Sequence, residues 1–258
     1  MGLTLVGTGL WDETDITIKG LAELEQSDLV FAELYTNEVR SGKLARIEKM
    51  CGKHITLLSR EEVEDGKRIL YEAARKKVAL LVSGDPMIST THVSLKIEAY
   101  KRAVPFKVVH AASILSAAIS ASGLHAYKFG RSVTLPFWSE RYKPTSTYDV
   151  LLQNKSLGLH TLLFLDIKDG KTMTAMEAFS LLQKLEKAKK KRLVNKDMGL
   201  VVLSRIGSHD EAVTFGTLSR LKALPEGRLG ETPSIIIVPG DLHFTEREAL
   251  DLLVPEAV

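Results

Sequence analysis

Short apolar runs punctuate the first 110 residues, at 3–6, 29–34, 55–58, 78–82 and 106–109, each rich in Val, Leu or Phe. Runs that do not alternate with polar residues suit strands buried on both faces of a parallel sheet. Between them lie amphipathic stretches, the clearest over 61–77, where Val63, Ile69, Leu70, Ala73 and Ala74 form one stripe. Ser59 or Arg60 starts this predicted helix, with acidic residues in its first turn. Strand–helix alternation of this kind predicts βαβ units with right-handed crossovers.

A second cycle begins after His110. Residues 111–122 are small and helical in pattern, with Gly123 placed to end the helix. Strands are predicted at 132–136, 161–167, 200–204 and 235–238, with a weaker one at 212–215, and helices over 174–190 and 245–253. Residues 137–147, with Trp138, Tyr142 and Pro144, read as a loop. No polar linker interrupts the chain, so the expected fold is α/β with two closely packed α/β domains. The first spans residues 1–111 around a mainly parallel sheet, and the second spans 112–258.

Composition narrows the class. With 258 residues, 45% of them hydrophobic and 26% charged, the chain can bury a substantial core. No apolar run approaches the roughly 18 residues of a membrane span. The opening residues lack a basic n-region and a cleavage site, and position 6 lacks the Ser or Thr of a myristoylation signal. A cytoplasmic protein with no membrane partner is expected. Cys51 is the single cysteine, which removes disulfide frameworks and paired-cysteine zinc sites and reads as a buried thiol. The formal charge of +3 is only mildly basic. The Lys-rich run from Lys184 to Arg192 reads as a solvated helix C-terminus, with an RNA or acidic-protein contact as the alternative.

Candidate chemistry is sought beyond the carboxyl ends of strands, where open α/β sheets bind ligands. Gly7-Thr8-Gly9-Leu10 follows the first strand, and its glycines permit a tight turn and close ligand approach. Asp12 occupies the third glycine position of a dinucleotide fingerprint, so that fingerprint is incomplete. Glu33 ends the second strand, where either a ribose-binding acid or a surface carboxylate fits. Ser83-Gly84-Asp85-Pro86 places Asp85 at the edge of the fourth strand, able to accept hydrogen bonds from a ribose or an amine, or simply to cap its loop. Thr90 or Thr91 is expected to cap the following helix. Asp166 ends the apolar strand 162–165 as a turn acid or a crevice residue. The chain has no Gly-x-Ser-x-Gly elbow and no P-loop, and its seven histidines lack metal-ligand spacing. Most of those histidines read as solvated or locally hydrogen-bonded.

The strings carry a further likeness. The glycine loop leading into Asp15-Ile16-Thr17-Ile18-Lys19-Gly20, together with Gly84-Asp85-Pro86, resembles the tetrapyrrole-methylase superfamily. The chain is most similar there to the branch serving diphthamide biosynthesis. That branch is marked by Phe31-Ala32-Glu33-Leu34-Tyr35-Thr36, Thr90-Thr91-His92, His110-Ala111-Ala112-Ser113-Ile114, Gly123-Leu124-His125-Ala126-Tyr127-Lys128-Phe129-Gly130 and the stretch from Leu159 to Lys168.

The resemblance implies an active site in the cleft between the two domains, S-adenosylmethionine as cofactor with S-adenosylhomocysteine as product, and usually a homodimer. Its protein substrate would be translation elongation factor 2, methylated on the amino group of a modified histidine, without direct nucleic-acid binding. By motif, the cofactor contacts would be Leu10, Asp85, Ile88, Ser113 and Ile114, then Leu165, Ile206 and Ser234. No catalytic base is implied, and the ribose role for Glu33 is displaced.

Overall fold

A computed structural model describes residues 1–33, 42–168, 170–225 and 227–255. The end of the predicted strand at Leu34, and the Leu34-Tyr35-Thr36 string, lie outside the described residues. The chain divides into two compact units, Met1–Ile114 and Leu115–Val258.

The first unit contains β1 (Gly2–Gly7), α1 (Ile18–Glu25), β2 (Leu29–Glu33), α2 (Lys43–Cys51), β3 (Ile55–Leu58), α3 (Arg60–Asp65), α4 (Lys67–Ala73), β4 (Lys77–Val82), α5 (Val93–Lys101) and β5 (Phe106–Val109). Its sheet has the order β3-β2-β4-β1-β5, with every pairing parallel. The unbroken apolar runs find their reason in two cores, one on each face. Leu3, Leu5, Phe31, Leu80 and Val82 point into one, and Val6, Val30, Ala32, Ala79 and Leu81 into the other. Burying a side chain such as Leu80 contributes about 1.5–3 kcal/mol.

The single helix expected over 61–77 is two helices. Ser59 starts α3 with a capping box, its hydroxyl accepting from the Glu62 N–H and the Glu62 carboxylate accepting from the Ser59 N–H. Gly66 then adopts φ +62, ending α3 and beginning α4, and Leu95 packs where its Cβ would stand. Because α4 ends at Ala73, Ala74 falls outside the buried stripe and is exposed. Cys51 is buried.

After α6 (Ile114–Ser122), the second unit contains β6 (Val133–Leu135), α7 (Ser146–Ser156), β7 (Thr161–Leu165), β8 (Ile167–Lys168), β9 (Lys171–Thr172), α8 (Ala175–Lys189), β10 (Gly199–Ser204), β11 (Ala212–Thr217), α9 (Leu218–Ala223), β12 (Ser234–Val238) and α10 (Phe244–Asp251). The large sheet runs β11-β10-β12-β7-β6 and is mixed, with only β6 and β7 parallel. Its apolar runs are as unbroken as those of the first sheet, so such runs report two-sided burial rather than strand direction. The strand expected to continue to Ile167 stops at Leu165, because Asp166 turns the chain into the β8–β9 hairpin.

The basic run ends a helix and folds back. Lys190 and Arg192 have φ of +54 and +59, and the Glu186 carboxylate accepts from the Arg192 N–H at 2.7 Å and the Val194 N–H at 2.8 Å. Lys189 pairs with Asp149 at 2.7 Å. Among the described residues no helix is long and apolar enough to cross a membrane.

Candidate functional site

In the first sheet, the connection leaving β1 runs towards one edge and the connection leaving β4 towards the other. At such a reversal open parallel sheets bind their ligands, here beyond the adjacent carboxyl ends of β4, β1 and β5. Three loops meet there. The Thr8 N–H donates to Val82 O at 2.9 Å, and the Gly84 N–H donates to Gly9 O at 3.0 Å. Gly7 lies where they converge: a Cβ on it would stand 2.5 Å from Gly84 O and 2.7 Å from the Ala111 methyl. Gly84 differs, since its φ is +66 and a Cβ there would meet nothing within 4 Å. Its backbone is therefore open to a ligand.

Lys43 reaches back from α2 and donates to Thr8 O at 3.3 Å and Trp11 O at 3.2 Å. Burial lowers its pKa against the opposing pull of Asp15, Asp12 and Glu13. Asp15 accepts from the Trp11 N–H at 2.5 Å, so lysine and aspartate together brace the glycine loop.

Asp85 is 7% exposed. Its Oδ1 accepts from the Met87 N–H at 2.9 Å, and its Oδ2 from His110 Nδ1–H at 2.8 Å and more weakly from the Ala111 N–H at 3.4 Å. The carboxylate thus braces its own loop and also binds the end of β5. An ionised carboxylate offers about four lone-pair positions, so Oδ1 retains room for a ligand hydroxyl or ammonium.

Glu33 is fully buried, which excludes the surface carboxylate reading. Its Oε2 lies 2.9 Å from Nε2 of His92, itself only 2% exposed, and His92 Nδ1 lies 2.7 Å from Pro86 O. Burial disfavours the charged imidazole, but the Glu33 hydrogen bond and charge and the Pro86 carbonyl outweigh it and raise the pKa. His92 also takes the N-cap position of α5, without a side-chain cap bond. The predicted Thr90 or Thr91 cap is therefore wrong, because Thr90 Oγ1 instead donates to Pro86 O at 3.1 Å. Among the described residues, Glu33 Oε1 and Thr8 Oγ1 are buried without a hydrogen-bond partner.

Five of the residues carried over by motif belong to this unit. Leu10 is in the glycine loop, Asp85 and Ile88 follow β4, and Ser113 and Ile114 follow β5. Leu10 and Ile114 are partly exposed, Ile88 is exposed and Ser113 is buried. The other three lie at the same end of the neighbouring strands β10, β12 and β7 of the second sheet. Antiparallel pairing of Ile235 with Phe164 brings Ser234 beside Leu165, and Ser204 pairs with Ser234 at the end of β10. Ser204 Oγ donates to Leu229 O at 2.7 Å, so the 2.8 Å contact with Ser234 is donated by the Ser234 hydroxyl. Ile206, buried, follows Arg205, whose φ of +52 is held by its N–H donating to Pro233 O at 2.9 Å. Non-glycine residues in this region concentrate at functional sites. Asp166 accepts from the Phe137 N–H at 2.8 Å, the turn-acid role.

At the other end of β7 lies a cluster that sequence reasoning missed. Glu246 of α10 is fully buried and accepts from the His125 N–H at 2.8 Å, His160 Nε2–H at 2.9 Å, Lys128 Nζ at 2.5 Å and the His243 N–H at 2.8 Å. Burial alone raises its pKa, but these donors overcome it and hold the value at about 2. Gly240 N–H donates to His160 Nδ1 at 2.8 Å, which fixes the tautomer. Burial, partly offset by Glu246, keeps the His160 pKa low. His92 and His160 are thus not solvated. The unusual strings at 123–130 and 159–168 supply Lys128 and His160 to this cluster, so part of their signature is structural. Among the described residues no group of three or more His, Cys, Asp or Glu is arranged to hold a metal.

A family model for Tetrapyrrole (Corrin/Porphyrin) Methylases matches residues 2–222. The diphthine synthase of Methanocaldococcus jannaschii is 40% identical over 256 residues, covering 97% of this chain and 98% of its own. That of Methanosarcina mazei is 41% identical over 254 residues, covering 96% and 94%. A crystal structure of diphthine synthase superposes with a TM-score of 0.87 at 35% identity, covering 98% of this chain and 95% of its own.

Proposed function

This chain belongs to the tetrapyrrole (corrin/porphyrin) methylase family, and from that premise we propose that it is a diphthine synthase using S-adenosylmethionine as methyl donor. Its substrate in this reading is translation elongation factor 2, on the amino group of the modified histidine that becomes diphthamide. The observation that carries the reading is a likeness to diphthine synthases that runs over nearly the entire chain.

The crevice chemistry suits the donor. Asp85 has acceptor capacity for ribose hydroxyls or an ammonium. The backbone at Gly84 is open, and Leu10, Ile88 and Ile114 offer apolar surface to a purine. Ser113, Leu165, Ile206 and Ser234 complete the proposed contacts. S-adenosylmethionine supplies a methyl group already activated on sulfur. The protein's task is to align that group with an amine lone pair and to exclude water. The amine must be neutral to attack, so a proton leaves it before each transfer. A homodimer is part of the same proposal.

Donor binding is testable without the protein substrate. A ligand at 100 times its Kd raises native stability by about 2.7 kcal/mol. S-adenosylhomocysteine at saturation should therefore raise the melting temperature by several degrees, and no shift would overturn the donor assignment.

A further inference from the structure

The Glu33–His92 pair has no part in the chemistry described so far, yet it is buried beneath the Asp85 loop. Glu33 is in register with Val82, the last residue of β4, from which that loop departs. The loop returns at His92, directly onto Glu33. A buried carboxylate–imidazole pair is an expensive way to fill such a space, since apolar side chains of similar volume commonly serve stability as well or better. Here the arrangement also leaves Glu33 Oε1 without a partner among the described residues.

What the pair holds is one peptide group. The Pro86 carbonyl accepts from His92 Nδ1–H at 2.7 Å and from Thr90 Oγ1 at 3.1 Å. The N–H of that same planar peptide belongs to Met87, and it donates to Asp85 Oδ1 at 2.9 Å. In a trans peptide the carbonyl and the N–H point in opposite directions, so fixing one aims the other. A carbonyl oxygen can only accept, which requires the proton on Nδ1. Glu33 faces Nε2 and completes the orientation of the ring, as carboxylates do for functional histidines elsewhere.

We propose that Glu33 and His92 are positioning residues that aim the Asp85 carboxylate at the methyl donor through the Pro86–Met87 peptide. The chain of contacts runs Glu33, His92, Pro86 carbonyl, Met87 N–H, Asp85, and each link is a hydrogen bond of 2.7–2.9 Å or the peptide plane itself. The proposal rests on the reading of Asp85 as a donor contact.

Two isosteric replacements separate the links. His92→Gln retains a donor where Nε2 meets Glu33 but removes the one facing Pro86. His92→Asn, made together with Glu33→Gln so that no lone carboxylate is buried, retains the donor facing Pro86. Binding of S-adenosylhomocysteine is measured by titration calorimetry on the full chain, alongside KM and kcat for methyl transfer. The proposal expects His92→Gln to weaken binding about tenfold, the equivalent of one lost hydrogen bond. KM for the donor should rise with it while kcat changes little, as loss of uniform binding requires. The Asn variant should bind within about threefold of wild type. Equal affinities for the two variants would overturn the positioning role. An unchanged affinity for Asp85→Ala would instead remove the donor reading on which it rests. Nitrogen NMR of the wild-type imidazole needs no variant to fold. It should show His92 Nδ1 protonated and its resonance moved by S-adenosylhomocysteine, and an unprotonated Nδ1 would refute the proposal.

Discussion

Replacing Glu246 by Gln keeps the shape of the side chain and removes its charge. The carboxylate accepts four hydrogen bonds, from two main-chain N–H groups, Lys128 and His160. An amide can accept only through its oxygen, and its NH2 group would face donors that the other carboxylate oxygen now satisfies. The native fold holds the pKa at about 2 against an ordinary 4.5, which at 1.36 kcal/mol per pH unit is about 3 kcal/mol favouring the ionised form. Because the folded pKa is depressed, that stability is fully present above pH 4.5 and is lost as pH falls towards 2. Glu246→Gln should therefore cost about 3 kcal/mol at neutral pH, within the range for breaking a buried charge network. Trp138 packs against the core of the second unit and reports on it once Trp11 is replaced by Phe. Urea titrations followed by Trp138 fluorescence would supply the stabilities at a series of pH values. A loss below about 1 kcal/mol, with the acid limb of the wild type retained in the variant, would show that these four hydrogen bonds do not hold the Glu246 carboxylate ionised.

The crevice and its supporting pair allow two further tests. Gly7→Ala would drive a methyl to 2.5 Å from Gly84 O, and overpacking of this kind costs about 1–3 kcal/mol. The prediction is a lowered melting temperature together with weaker S-adenosylhomocysteine binding, and calorimetry giving wild-type affinity would contradict the convergence of loops at Gly7. The raised pKa of His92 stabilises the first unit fully below the ordinary histidine range, and that contribution is lost as pH rises through the folded value. The stability difference between wild type and His92→Gln, read from Trp11 fluorescence after Trp138→Phe, should shrink on the alkaline side, and a difference that grows there would contradict the assignment.

Much of the fold was legible because burial on both sheet faces leaves unbroken apolar runs, and all five strands of the first sheet follow such runs. Helix α7 leaves only a weak trace in the sequence, because its buried face includes Thr147 and Asn154 and the apolar period is diluted. Asn154 Nδ2 donates to Arg131 O and Thr161 Oγ1, a role visible only once the strands are assembled. The break at Gly66 is hidden in the sequence because residues on both sides keep a helical stripe. At the site, the position of Asp85 beyond β4 followed from the strand-end rule. The partnerships of Glu33 with His92, 59 residues apart, and of Glu246 with His160, 86 apart, join distant segments that no local pattern connects. An acid ending one strand and a histidine preceding a helix were the available signals, and neither names its partner.

The most direct test of the account is mass analysis of translation elongation factor 2 carrying the diphthamide precursor, incubated with this protein and S-adenosylmethionine. The account predicts that the modified histidine gains mass in whole methyl increments, with S-adenosylhomocysteine formed in step. An unmodified factor, with methyl transfer instead to a porphyrinoid precursor offered in parallel, would contradict it.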